Sequence, residues 1–381
     1  MGGFAIGTTE YATMSLLPFF AKGLHIDEPT AGHVISAYAL GVVVGAPLLA
    51  IIAARASRRL VLIALMLTFA LANGLSALAP SYGWMLVFRF LSGVPHGAYF
   101  GMASLVAASL VPMDKRTQAV ARVMLGLTIA TIVGVPLTNW LGQLFGWRWG
   151  FGIVAAIALA TVLAIAVVTP RDAPMPGANV LSELRVLQRR QLWLTLGIGA
   201  IGYGGLFGVY TYLASTMLEV THAPASAVPV ALAVFGTGMT LGNLIVPRFA
   251  DRALMPAVGA LLVWMACSLA LYPFSLGHLP SLLAAVLAIG FGGALGTVLQ
   301  TRLMDIASEG QGLAAALNHA AFNLANALGP WAGGLALTAG FGWGAVGWVG
   351  CALALGGLAV WAISCREDQF PGTGSDCLLY D

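Results

Sequence analysis

The residues that could do chemistry in this sequence are few, and they stand inside stretches that are otherwise apolar. Glu10 is the one acidic residue deep in such a stretch. A buried charge is costly, so a carboxyl in that setting is a functional candidate. Burial and a neighbouring cation act on a carboxyl in opposite senses. A balance between them suits a group that takes up and releases a proton. The alternative is a carboxylate held by Thr9 or Thr13 near the wet mouth of a cavity. Arg89 is the basic counterpart. It leads a stripe of Arg89, Ser92, His96 and Tyr99, whose spacing lines one helical face. That face points to a central cavity, or else Arg89 pairs with carbonyls around Gly134-Val135-Pro136.

Two further groups share helical faces. His319, Asn323 and Asn326 form one, with Asn318 beside them. Asn side chains can join helices as ordinary packing, but a polar stripe with an imidazole also suits a cavity wall. Tyr203, Phe207 and Tyr210 form the other, as packing or as a substrate surface. Thr128, Thr131 and Thr138 are weaker candidates. Proton coupling is assigned to Glu10, Arg89 and His96. A substrate cavity is assigned to Thr9, Thr13, Ser92, Tyr99, Tyr203, Phe207, Tyr210, His319, Asn323 and Asn326.

Composition says what must position these groups. Of 381 residues, 59% are hydrophobic and 8% charged, whereas soluble domains carry about 25% charged residues. The apolar residues come in runs such as Val61–Ala79 and Leu282–Leu299, without the alternation of barrel strands. Spanning segments in lipid must pair their own backbone groups, so these runs are helices. The net charge of +3 is no nucleic-acid signal, because the cations are scattered singly over loops. Cys267, Cys351, Cys365 and Cys377 form no CxxC pair, so neither a metal site nor a disulfide framework is expected. No cleavable signal peptide is expected, since nothing basic precedes the first apolar stretch.

Breaks in hydropathy predict spans at 2–22, 32–54, 60–79, 84–109, 119–142, 148–168, 193–218, 227–248, 254–275, 281–303, 312–337 and 343–364. Alternate loops hold Arg55, Arg58, Arg59, Lys115, Arg116, Arg122, Arg171, Arg185, Arg189, Arg190, Arg248, Arg252, Arg302 and Arg366. The opposite loops hold Lys22 and Arg148. The positive-inside rule therefore places the first set, and both termini, in the cytoplasm. The expected site is a bacterial-type inner membrane.

A polar connection at 169–192 divides the spans into a bundle at 1–168 and another at 193–365, with a cytoplasmic tail at 366–381. Val180, Leu184 and Leu187, beside Arg185, Arg189 and Arg190, suit a short helix on the membrane surface. The halves also align. Gly41, Gly45, Ala53 and Arg55 recur as Gly238, Gly242, Ala250 and Arg252, all offset by 197 residues. Duplicated halves around a midplane site are a known transporter plan.

These features resemble the major facilitator superfamily. Ala53-Ala54-Arg55-Ala56-Ser57-Arg58-Arg59 is similar to that family's G-x-L-A-D-R-x-G-R-R loop, with Ala54 in place of its Asp and Ser57 in place of its Gly. The second half keeps Ala250-Asp251-Arg252. Arg89 to Gly93 resembles the family's R-x-x-x-G. Gly126 and Gly134-Val135-Pro136 resemble the Gly-Pro motif of its antiporters. Gly7-Thr8-Thr9-Glu10-Tyr11 and Ser36 to Gly41 are similar to drug:proton antiporters, nearest to sugar efflux permeases and chloramphenicol exporters. The resemblance implies a conformational loop at Arg55, Arg58, Arg59, Asp251 and Arg252, and a helix bend at Gly134 and Pro136.

One motif misleads. Gly197-Ile198-Gly199-Ala200-Ile201-Gly202 fits G-x-G-x-x-G, but a dinucleotide site needs a preceding strand and a βαβ unit. Small residues inside a membrane run serve close helix packing instead. No Walker loop or nucleophile elbow is visible, which argues against an ATP-driven pump and a membrane enzyme.

The expectation is an all-α membrane protein of about twelve spans in two pseudo-symmetric six-helix bundles. It would be a monomer without cofactor or nucleic-acid partner, working on protons and a small organic molecule from within the bilayer. Proton-coupled efflux of a drug or sugar is the leading reading. An importer on the same fold, or a transporter-like receptor without flux, are the alternatives.

Overall fold

The computed structural model describes residues 1–53, 56–111, 123, 125–170, 185–250, 252–307 and 311–369. Arg55, Lys115, Arg116, Arg122, Arg171, Val180, Leu184 and Asp251 lie outside the described residues. Sixteen helices are described. They are α1 (Gly2–Ser15), α2 (Leu17–Leu24), α3 (Glu28–Ala53), α4 (Arg58–Ala77), α5 (Tyr82–Gly93), α6 (His96–Ser109), α7 (Leu125–Phe145) and α8 (Arg148–Val168) in the first half. The second half holds α9 (Arg190–Gly202), α10 (Gly204–Glu219), α11 (Val228–Ala250), α12 (Leu254–Ser275), α13 (Leu279–Phe291), α14 (Leu295–Ala307), α15 (Gln311–Thr338) and α16 (Ala345–Gln369). No strand occurs among the described residues.

End-to-end pairing of α1 with α2, α5 with α6, α9 with α10 and α13 with α14 leaves twelve rods, close to the spans expected from hydropathy. The broken rods are the first and fourth of each half, and each break has a local cause. Pro18 at the start of α2 and Pro95 before α6 lack the N–H that would continue the helix. Gly202, Gly204 and Gly205 flank the break at Tyr203, and Gly292–Ala294 form a 3₁₀ turn. Within α7, Ala130–Gly134 widen into a π-turn just before Pro136.

Burial is reversed from that of a soluble protein. Leu71 is 66% exposed and Val167 84%, on faces that meet lipid, while Arg89, Asn73 and Asn326 are buried. Among the described residues, nine helical segments are long and apolar enough to cross a membrane. The rods outside that set are α1–α2, α5–α6 and α15. The first two are broken, and α15 carries Asn318, His319, Asn323 and Asn326. They are the rods that bear Glu10, Arg89 and His319.

The repeat has a structural counterpart. A Cβ on Gly41 would run into the carbonyl oxygen of Phe90, and one on Gly45 into that of Val94. In the second half, Gly238 meets the carbonyl of Leu287 and Gly242 that of Phe291. Gly93 likewise abuts Tyr38, and Gly290 abuts Phe235. Each pair keeps the offset of 197 residues on both partners. The second rod of each half thus crosses the fourth at a distance that only Gly allows. We expect Gly41→Ala and Gly238→Ala each to lower stability by about 1–3 kcal/mol, the usual cost of overpacking. Gly83→Ala, with nothing near its Cβ, should leave the detergent Tm unchanged. Equal melting of all three would refute the close crossing.

The G-x-G-x-x-G segment lies within α9, where Gly202 packs against Gly357. Of the connection at 169–192, Arg185–Gln188 form a 3₁₀ turn whose Val186 is buried against Leu192 and Leu303. The last rod continues as helix to Gln369, past the expected start of the tail.

Candidate functional site

Glu10 sits on α1 where the first half meets the second, and it is 6% exposed. Neither Thr9 nor Thr13 holds it. Thr13 Oγ1 donates to the Thr9 carbonyl at 2.6 Å, an ordinary bond along the helix. Thr9 Oγ1 donates to Asn73 Oδ1 at 2.7 Å. The side chain that reaches Glu10 is Asn326, on α15 of the other half, whose Nδ2 donates to Oε1 at 3.4 Å. Asn326 Oδ1 is buried without a partner among the described residues.

Arg89 is 1% exposed. Its Nη1 donates to Thr9 Oγ1 at 3.1 Å and to Asn73 Oδ1 at 3.5 Å. The guanidinium lies over the Tyr38 ring, 4.4 Å from its centroid, and 5.4 Å from that of Phe151. Stacking on aromatic faces suits a weakly hydrated guanidinium. Carbonyls at Gly134–Pro136 are not its partners. Arg89 is an electrostatic neighbour of Glu10, but no ion pair joins them among the described residues. The residue between them is Thr9, next to Glu10 in the chain.

The stripe from Arg89 to Tyr99 stays buried across the break at Pro95. Ser92 Oγ donates to the Arg89 carbonyl at 2.8 Å. His96 Nδ1 is hydrogen-bonded to Tyr38 Oη at 2.9 Å. Across the seam, the His319 ring lies 5.7 Å from that of His96 and stacks on Phe100 at 5.1 Å. The sequence names both histidines but gives no sign that they meet. Tyr99 lies to one side, its ring against Gly2. Asn323 Nδ2 donates to the His319 carbonyl at 3.0 Å, and Asn318 Nδ2 to Gln300 Oε1 at 2.5 Å.

Tyr203, Phe207 and Tyr210 gather beside Glu10, joined by Tyr11. Tyr11 packs edge-on to Tyr210 at 5.3 Å and stacks with Phe207 at 6.2 Å. Tyr203 packs on Phe207 at 5.2 Å and on Phe322 at 4.9 Å, and its hydroxyl donates to the Gly293 carbonyl at 3.1 Å. Tyr210 leaves its hydroxyl buried and, among the described residues, unpartnered. The result is an aromatic wall from the second half facing one carboxyl from the first. Gly134 backs α1 from the other side, where a Cβ would strike Thr8 and Phe4.

Sequence reasoning missed Tyr11, Tyr38 and Asn73 as site residues. Asn73 had a usable signal, being the amide in the apolar run Val61–Ala79. Of the expected conformational loop, Arg59 Nη2 donates to the Ala166 carbonyl, Arg58 opens α4, and Arg252 lies exposed in a turn.

Comparison with known proteins bears on the family and the fold. The Major Facilitator Superfamily profile matches residues 1–277 and 196–374. The inner membrane transport protein YdhP of Escherichia coli K12 is 40% identical over 98% of this chain and 96% of its own length. The chloramphenicol resistance protein of Streptomyces lividans is 32% identical over 86% of this chain and 84% of its own. A crystal structure of a bacterial homologue of the human lysosomal transporter Spinster, inward-facing and unoccupied, shares the fold. Its TM-score is 0.63 at 18% identity, over 96% of this chain and 94% of that one. By its sequence, its fold and its paired halves, this chain belongs to the major facilitator superfamily of membrane transporters.

Proposed function

We propose that the protein exports a small organic molecule in exchange for protons, by alternating access between its two halves. The observation that carries this reading is the contact of Glu10 with Asn326. The only side-chain hydrogen-bond partner of the buried carboxyl, among the described residues, sits on the opposite half. Any rocking of one half against the other changes the surroundings of that carboxyl, so its charge state and the conformation are coupled. Contact with a cation or a donor favours the ionised form, and withdrawal into a dry site favours the protonated one.

Tyr11, Tyr203, Phe207 and Tyr210, packed on one another in this state, would present broad apolar faces with a few hydroxyls if the halves part, a surface that suits a small organic molecule of mixed polarity, drug or sugar. The relative named for chloramphenicol resistance supports export of such molecules. The test is uptake into proteoliposomes of a panel of labelled drugs and sugars. An exporter of this kind should concentrate its substrate when the lumen is made acidic. Accumulation driven instead by an alkaline lumen would make it a symporter.

A further inference from the structure

At the end of the molecule that the cation bias assigns to the periplasm, a second carboxyl is withdrawn from water and has no role in the reading above. Glu28 opens α3, is half-buried, and has Oε2 shielded without a hydrogen-bond partner among the described residues. Across the seam between the halves it faces Glu219, at the end of α10. Both line a cavity of about 380 Å³ together with Pro29, Leu337 and Trp343. Glu219 is exposed and accepts a hydrogen bond from Trp343 Nε1 at 3.2 Å.

The other titratable groups at this place are Tyr212 of α10, Asp27 beside Glu28, His33 one turn on, and Tyr82 at the start of α5. Asp27 accepts from the Thr30 N–H at 2.8 Å, and its bonds to Thr30 hold its carboxyl below the usual range, so it stays ionised. His33 is tied to Tyr82 Oη at 2.9 Å. Among the described residues, no lysine or arginine is a charged neighbour of Glu28. A second, independent observation points into the same place. Ser215 is fully buried, and its hydroxyl neighbours the Glu28 carboxyl without reaching hydrogen-bond geometry. Thr211, one turn further in, is also fully buried with an unpartnered hydroxyl. Thr211, Ser215 and Glu219 recur every four residues along one face of α10.

We propose that Glu28 and Glu219 form a second protonation site, which closes the outer seam when the pair holds a proton and lets it part when both carboxylates are ionised. The proposal rests on the proton-exchange reading above. Two carboxylates sharing a site without a cation repel when both are charged, and one proton between them removes the repulsion. Here the repulsion would act across the two halves, so it becomes a force on the seam. The proton comes from the outer water onto a carboxylate oxygen and leaves by the same way. The Ser215 and Thr211 hydroxyls, each able to donate and accept, continue the polar line inward towards Tyr210.

The test is the distance between spin labels on Lys22→Cys and His278→Cys, exposed residues in opposite halves. It is measured on the full chain with its native cysteines replaced, reconstituted without substrate, from acid to alkaline pH. The parent protein should widen as pH rises. Glu28→Gln and Glu219→Gln should each lose that transition, the distance staying at the parent's acid value at every pH, with an unchanged detergent Tm as evidence of folding. Glu10→Gln should keep it. A transition that survives Glu28→Gln but vanishes in Glu10→Gln, or a seam indifferent to pH in the parent, would overturn the proposal. Failure of the central reading has a different signature, since Glu10→Gln would then still concentrate substrate whatever the seam does.

Discussion

Glu10→Gln is expected to abolish accumulation driven by a proton gradient while leaving one-for-one substrate exchange intact. Gln keeps the shape of the side chain and can still meet Asn326, so the seam between α1 and α15 should survive. What it loses is the proton. A change of about 1.4 kcal/mol in the surroundings of a titrating group shifts its proton occupancy tenfold, so small movements of the halves suffice in the wild type. In the mutant no movement matters. The expected result in vesicles is an accumulation ratio that falls to its equilibrium value and an exchange rate that no longer depends on pH in the range where the parent responds. Undiminished accumulation with an unchanged pH dependence would transfer the role to His96, which is buried, and the half-buried His319 beside it.

Arg89→Ala should have the largest structural effect. The guanidinium is buried, fills the space over Tyr38 and between Tyr38 and Phe151, and donates to Thr9 and Asn73. Its removal leaves a cavity and withdraws a charged donor, at a cost of about 1.5–3 kcal/mol for the hydrogen bonding alone. Arg89→Lys keeps the charge but loses the planar fork and its stacking, so it should recover part of the stability and little of the transport. Thermal unfolding in detergent, read beside transport in vesicles, separates the two. If Arg89→Lys transports like the parent, the geometry of the guanidinium is not needed and a point charge is enough.

The class of protein was plain from the apolar runs, because lipid leaves a long uncharged segment few alternatives to a helix. A bend at Gly134 and Pro136 is implied by the resemblance alone; what the structure holds there is a π-turn at Ala130–Gly134. Glu10 and Arg89 were legible because a charge in lipid must have a use. The partners were not. Asn326 meets Glu10 across 316 residues of chain, and His319 meets His96 from the opposite half. Such pairings follow from how two bundles dock, which helical periodicity does not encode. Asn73 carries a signal as the amide in an apolar run, but its bonds to Thr9 and Arg89 are visible only in the fold. Glu28 was passed over because it stands at the mouth of a span, where a carboxylate is unremarkable until Glu219 is seen opposite. The 197-residue repeat was visible as four identities, but only the carbonyls that the paired glycines touch show why glycine is needed at each.

The central claim, that proton and substrate move in opposite directions through one carboxyl, is tested most directly by proton movement driven by substrate. Proteoliposomes carrying a trapped pH dye, weakly buffered and without an imposed pH gradient, are given external substrate identified from the panel. Exchange predicts that substrate entering drives protons out, so the lumen turns alkaline with wild-type protein and stays unchanged with Glu10→Gln. Substrate entry without any change of luminal pH, or with luminal acidification, would contradict it.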